Sequence, residues 1–491
     1  MENYLIKDCL IHIFTFLTEG DLSNASCVCK DWNDAAETPW LWRRMALQRW
    51  VFCNLGLGGD GAQSWKRYFL RRSHLEKKMS EGKRGGYTCK SLRGHTGRVI
   101  GLGHLNGSSS DSPDLWSSSA TVCSASTDGT VRGWGVQKGE LLWSSPASQN
   151  PITDMITDQQ HNLVVTADST GLVSTWHGQT GQQMATFATG FSHSKLLQFT
   201  ANDDWFLTVG GRLGSVVTLA GPDLTKRSTF TVCDSFQVTT LLISPDRKWI
   251  TAGTRDNDDI SPKVIYTESL TSESEDEERL SQSLPVAGCR AAVFIPTQPS
   301  RLAVAHDKLL TVFDVCLKKS KYKTEIIGKR QTVSFCINVI VFLPSPVIIS
   351  FIICLVNQVK SFSLNQISST QLLLKAKDSN CIVLAAGRQL FVYSLSGELL
   401  QSFSDHTLPI SAVWVDSFRV VTASLDLSMR VLTWKNNQDG GQTLEGRYHL
   451  LGGSHSMSRG FTHVVCDYSS IVASVEGQDG SDVLKAYSFT S

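Results

Sequence analysis

The sequence predicts a multidomain protein of the α plus all-β kind: three short helices, a helical linker, and a degenerate β-propeller of seven or eight blades. Three observations carry that reading. Between Leu5 and Trp50 apolar residues recur at helical spacing, with turn and cap residues between the runs. From Tyr87 onward the pattern changes to short apolar strands separated by Gly and Asp turns. Those strands repeat with a period in the low forties, the spacing of propeller blades, and a chain of 491 residues has the length for this division.

The first helix is read from Cys9, Leu10, Ile13, Phe14 and Leu17, starting near Asp8. Gly20 suits its exit, and Asp21 is placed to cap a second helix with apolar positions Leu22, Ala25, Val28 and Cys29. Thr38 and Pro39, an N-cap followed by proline at the first helical position, open a third through Leu41, Trp42 and Met45. Three helices in so short a stretch bury little surface, so they lean on a partner.

The order of these residues resembles the F-box, the helical module that docks onto the Skp adaptor of Skp–cullin–F-box ubiquitin ligases. The resemblance rests on Ile13-Phe14-Thr15-Phe16-Leu17, Asp21-Leu22, Val28-Cys29-Lys30-Asp31-Trp32 and Leu41-Trp42, all in family order, with Ile6 standing where the family has its opening proline. It implies adaptor contacts from Leu5, Leu10, Ile13, Phe14, Leu17, Leu22, Val28, Cys29, Trp32, Leu41 and Trp42.

Bulk properties exclude several classes. A formal net charge of +1 argues against a dedicated nucleic-acid binder. The 13 cysteines are odd in number and scattered, and the N-terminus lacks the regions of a signal peptide, which fits the cytosol or nucleus. Cys27 and Cys29 have no second ligand pair at zinc-site spacing, so no metal or cofactor is expected. Gly56, Gly58 and Gly61 spell G-x-G-x-x-G, yet no βαβ unit surrounds them and they read as a loop. A helix over Ala62 to Met79, carrying Trp65, Tyr68, Phe69 and Leu70, then spans to a break at Lys83 to Gly86. The expected division is therefore helical module 1–50, loop and linker 51–86, propeller 87–491.

In the propeller half the first unit opens with Gly94-His95 and closes at Trp134, and the second closes at Trp176, 42 residues later. Weaker closes fall at Leu219, Tyr266, Phe313, Tyr393, Trp434 and Tyr487, with one long step of 80 residues between Phe313 and Tyr393. These units resemble WD repeats, which implies a blade-fixing hydrogen-bond network at His95, Asp128 and Trp134 and again at His406, Asp426 and Trp434. Blades that lack the set, such as those with Leu219 or Tyr266 at the close, are expected to rely on apolar packing. Polar inserts are read at 107–119 and 267–283. The segment 331–374 has no Gly, Asp or Glu, so it lacks the turn residues a blade needs and is read as foreign to the repeat. Pro344-Ser345-Pro346 divides its apolar run into pieces too short to cross a bilayer, so two buried strands around that turn are expected and no membrane span.

The two halves together resemble the F-box/WD-repeat substrate receptors of Skp–cullin–F-box ligases. That implies a non-catalytic receptor: the propeller holds an unknown protein target, the helical module holds the adaptor, and through it the cullin and RING subunits. Arg98, Arg132, Arg212 and Arg430 are the candidate target contacts. The alternative is a propeller scaffold without ubiquitin transfer, which Ile6 in place of proline favours. No paired carboxylates, nucleophile elbow or metal spacing supports an enzyme.

Overall fold

The computed structural model describes residues 7–50, 65–82, 86–105, 121–192, 195–271, 280–323, 348–364, 371–377, 381–436, 442–454 and 456–489. Leu5, Ile6, the glycine loop at 56–61 and the insert at 107–119 lie outside them, as do 272–279, 331–347 and 365–370.

The N-terminal region holds four helices, not three: α1 Lys7–Phe14, α2 Glu19–Ala25, α3 Lys30–Ala36 and α4 Pro39–Arg49. The expected second helix splits because the chain leaves α2 at Ser26 and re-enters helix only after Cys29, whose extended backbone (φ −158°) makes it the N-cap of α3. The turn is held by Asn33 Nδ2 donating to Ser26 O at 2.8 Å. Thr18, one turn before the expected cap Asp21, is the N-cap of α2 and accepts from the Asp21 N–H at 3.3 Å. The linker helix α5 spans Trp65–Glu81.

The rest of the described chain forms eight four-stranded antiparallel sheets, the blades of an eight-bladed β-propeller. Blades 1 and 2 cover 99–144 and 152–188, blades 3 to 5 cover 195–231, 240–283 and 291–363, and blades 6 and 7 cover 372–403 and 410–451. Blade 8 takes three strands from 458–488 and its outer strand from Thr88–Leu92, with Thr88 opposite Ser488 and Leu92 opposite Leu484. The chain thus ties its first strand to its last. Each of the eight closes read from the sequence stands on the third strand of its sheet. Among the described residues the 80-residue step is taken up in blade 5 by the long strands Leu309–Lys323 and Ile348–Ser363, paired from Leu309↔Ser363 to Lys323↔Ile348.

The described part of the segment read as foreign pairs with the repeat: Ile348–Ser363 is the outer strand of blade 5, and Leu372–Lys377, in which the segment ends, is the inner strand of blade 6. Its outer strand is not fully buried. Cys354 is covered, but Asn357 to Lys360 are exposed, as befits an edge. The insert read at 267–283 is also shorter than expected, because α6 Glu268–Thr271 and the strand Ser281–Ser283 flank it. Leu270 of α6 is fully buried.

The chain divides into two compact units, 1–196 with 369–394 and 398–491, and 197–368 with 395–397. In the first, the interface of blades 7 and 8 is filled by Val421, Met429, Phe461, Ile471 and Tyr487. In the second, Phe199 stacks on Phe206 with centroids 5.2 Å apart, and Trp249 meets Tyr266 edge-on at 5.4 Å. Each such side chain contributes about 1.5–3 kcal/mol by burial.

Candidate functional site

The helical module is built around Leu10, Phe14, Leu22, Ala35, Leu41 and Trp42, all buried. Phe14 meets Trp32 edge-on at 5.4 Å, and Trp42 Nε1 donates to Ala36 O at 2.7 Å. The cluster is closed by α5, whose Phe69 packs on Trp42 at 5.7 Å and on Trp50 at 4.9 Å. The linker helix thus supplies the apolar surface that four short helices lack.

This geometry sorts the residues read as adaptor contacts. Leu10, Phe14, Leu22, Leu41 and Trp42 serve the core and present no surface. Ile13, Val28 and Cys29 are exposed, and Leu17 and Trp32 are half-buried. Leu5 lies outside the described residues. The sequence reading left out Phe16, which is 78 % exposed, and also Trp40 and Leu47 on the outer face of α4. Periodicity carries no signal for Phe16, whose exposure follows from how α1 ends. The chain tightens there, with Phe16 N–H donating to Ile13 O at 3.1 Å and Leu17 N–H to Phe14 O at 3.2 Å, so Phe16 turns off the helical stripe. His12 lies edge-on to it at 5.6 Å.

The same linker helix is anchored near its C-terminal end, on two sides, by buried polar groups that the sequence pattern did not mark. Toward the helical module, Glu76 receives Trp50 Nε1 and pairs with Arg49 at 3.2 Å and Arg72 at 3.6 Å, while Arg72 stacks over Trp50 at 4.4 Å. Burial pushes the Glu76 carboxyl up, against the pull of the two arginines. Toward blades 7 and 8, Arg419 is only 1 % exposed. Its guanidinium donates to Met79 Sδ at 3.2 Å, to Asp416 at 3.3 Å and to Asp467 O. Tyr448 O–H adds a bond to Lys78 O at 3.3 Å.

In blade 1 the hydrogen-bond chain is complete. Trp134 Nε1 donates to Ser124 Oγ at 2.8 Å, Ser124 meets His95 Nε2 at 2.7 Å, and His95 Nδ1 meets Asp128 at 3.0 Å. Those partners place the His95 proton on Nδ1. Blade 7 keeps only part of it: His406 bridges Thr422 at 2.8 Å and Asp426 at 3.0 Å, but Trp434 Nε1 donates to Asp416 O instead. Thr422 stands opposite Arg430 as Ser124 stands opposite Arg132, so Leu432 takes the place of Trp134 and Trp434 lies two residues beyond the network. Blade 2, without the histidine, uses Asn150 Nδ2 on Asp168 at 3.3 Å and Trp176 on Thr166 at 2.9 Å. In blade 3, Thr208 and Thr218 stand opposite each other, fully buried, and neither hydroxyl finds a partner among the described residues.

The four arginines read as target contacts are not gathered together by their contacts. Arg98 pairs with Glu476 at 3.0 Å. Arg132 Nε donates to Thr130 at 3.3 Å, its guanidinium filling the space over Gly94. Arg430 donates to Asp405 O at 3.0 Å and leaves its Nε buried and unpaired, and Arg212 is exposed in a turn of the other unit. Among the described residues no group of His, Cys, Asp or Glu is placed to hold a metal ion, and no helix is long and apolar enough to cross a membrane.

Residues 7–48 match the F-box-like family model. A match to that family followed by a propeller of degenerate blades supports reading the chain as an F-box/WD-repeat protein. It is similar to F-box/WD repeat-containing protein 12 of Homo sapiens, 28 % identical over 506 aligned positions and 100 % of both chains. F-box/WD repeat-containing protein 15 of Mus musculus is 23 % identical over 87 % of this chain and 86 % of its own. Among solved structures, the computationally designed Ika8 protein matches with a TM-score of 0.52 at 18 % identity, over 81 % of this chain and 98 % of that one, a likeness of fold alone.

Proposed function

We propose that this chain is the substrate-recognition subunit of a Skp–cullin–F-box ubiquitin ligase. The helical module docks the Skp adaptor, the cullin and RING subunits follow through it, and the propeller holds a protein target in the cytosol or nucleus. The observation that carries the reading is the apolar surface left open on a module whose core is already filled: Ile13, Phe16 and Val28 are 46 %, 78 % and 62 % exposed. Leu17 follows Phe16 in the turn after α1, Cys29 follows Val28 as the N-cap of α3, and Trp32 lies in the first turn of α3. Exposed apolar patches rimmed by polar groups mark interaction surfaces.

The chain itself contributes no catalytic group in this scheme. By holding adaptor and target on one chain it raises the concentration of target lysines near the charged conjugating enzyme. The α5 anchors at Glu76 and Arg419 fix the module to blades 7 and 8, so the two grips keep a set separation within that unit.

Co-precipitation from cells tests this. The full chain brings down adaptor and cullin together, and a Phe16→Ala, Val28→Ala double variant loses both while its unfolding midpoint stays put. Absence of adaptor from the wild-type precipitate would overturn the reading in favour of a scaffold.

A further inference from the structure

The outer two strands of blade 5 run on past the blade. The third strand, Leu309–Lys323, pairs with the second only from Leu309 to Asp314, opposite His306 to Arg301. Beyond Asp314 it pairs with Ile348–Ser363 alone, through nine further residue pairs from Val315↔Val356 to Lys323↔Ile348. A two-stranded ribbon of about 30 Å therefore continues where the four-stranded sheet stops. Its strands have 15 and 16 residues, where strands of globular proteins have roughly 3–10. The base of the ribbon is fixed by Val315 and Cys354, both buried in one cluster with Trp249 and Val264 of blade 4 and Phe294 of blade 5.

Among the described residues neither long edge of the ribbon has a neighbouring strand. An unpaired edge presents a row of N–H and C=O groups that templates pairing with another chain, and lysines on the edge strand are one way proteins prevent it. The two edges differ in that respect. The strand over 315–323 carries Lys318, Lys319, Lys321 and Lys323, which blunt its edge. The strand over 348–356 reads IISFIICLV, with no charge, no proline and no glycine, the composition of a segment that pairs readily with itself. A copy of that run brings no like charge against it, whereas two lysine edges repel each other. Antiparallel pairing of a strand with its own copy is two-fold symmetric, so one open edge closes the assembly at two.

We propose that the strand over 348–356 is a dimerisation edge through which two copies of this chain join their ribbons, antiparallel, into one four-stranded sheet. The lysine-bearing strands then lie on the outside and stop further growth. The proposal is independent of the receptor reading; taken with it, the pair presents two propellers and is bivalent toward its target.

Analytical sedimentation of the full chain tests this, in reducing buffer so that exposed thiols such as Cys316 do not cross-link copies. The wild type is expected to show twice the chain mass at micromolar concentration and the single mass on dilution. Ser350→Lys, which puts a charge on the open edge strand without removing an apolar group, should show the single mass throughout. Lys319→Ser combined with Lys321→Ser should open the second edge and give species larger than two. A monomeric wild type, a dimer that persists in Ser350→Lys, or a double variant that stops at two would overturn the proposal. Hydrogen exchange on the wild type needs no variant. Alternate amides within 348–356, those facing away from the third strand, should lose about ten-fold or more of their protection on dilution, while amides over 309–314 keep theirs. No loss within 348–356, or an equal loss in both stretches, would overturn it as well.

Discussion

At Ser124 two buried donors and acceptors converge, Trp134 Nε1 and His95 Nε2, so Ser124→Ala orphans both at once. Each orphan costs about 1–3 kcal/mol, whereas Thr422→Val in blade 7 strands only His406. Urea unfolding should place Ser124→Ala clearly below Thr422→Val. The helical module offers a second contrast between two phenylalanines. Phe14→Ala should lose about 3–5 kcal/mol of stability, because its ring fills the core. Phe16→Ala should leave the midpoint within about 0.5 kcal/mol, because its ring touches mainly solvent. The motif from Ile13 to Leu17 was legible in the sequence, but the roles within it were not. Helical periodicity marks apolar positions without distinguishing a core stripe from a docking stripe, and the tightened end of α1 that exposes Phe16 leaves no periodic trace.

At the scale of elements, the third strand of every blade was readable from its closing residue, even where Leu219, Tyr266 or Phe313 stands in place of tryptophan. A buried apolar residue at a fixed period survives loss of the polar network, since it packs between sheets whatever its identity. A strand was expected over Ile348–Ser363, but its place as the outer strand of blade 5 was not legible: it carries none of the Gly and Asp that mark turns, yet strand pairing needs only backbone. The linker helix was legible from Trp65 to Met79, but its anchors were not, because Arg419 reaches it from 340 residues away in sequence. Arg419→Ala should release α5 from blades 7 and 8, leaving the Met79 pocket open and Asp416 without its ion pair. Hydrogen exchange should then show α5 amides losing protection while strands of blades 1 and 2 keep theirs. Unchanged protection in α5 would mean that Trp50 and Phe69 alone hold the helix.

For the whole molecule, acid should act through a few buried groups of opposite sense. Burial alone would raise Asp426, yet bonds from Ser428, Thr407 and His406 hold it at about 2. Its contribution is therefore fully present above the ordinary carboxylate value and is lost as pH falls through about 2. Asp482 is the reverse case: burial lifts it to about 6 despite the Val99 and Gly477 N–H groups. The folded state takes up that proton first, so acidification from pH 7 toward the ordinary carboxylate value relieves a buried charge. Asp482→Asn, which keeps an acceptor for Val99, should therefore raise the urea midpoint at pH 7 by more than it does at pH 5. Equal effects at both pH values would contradict that assignment. The most direct measurement of the central claim is calorimetric titration of the Skp adaptor into the full chain and into Phe16→Asp. The account predicts micromolar or tighter binding with negative heat-capacity change for the wild type, at least about 30-fold weaker binding for Phe16→Asp, and the same unfolding midpoint for both. Equal affinities, or no binding by the wild-type chain, would contradict it.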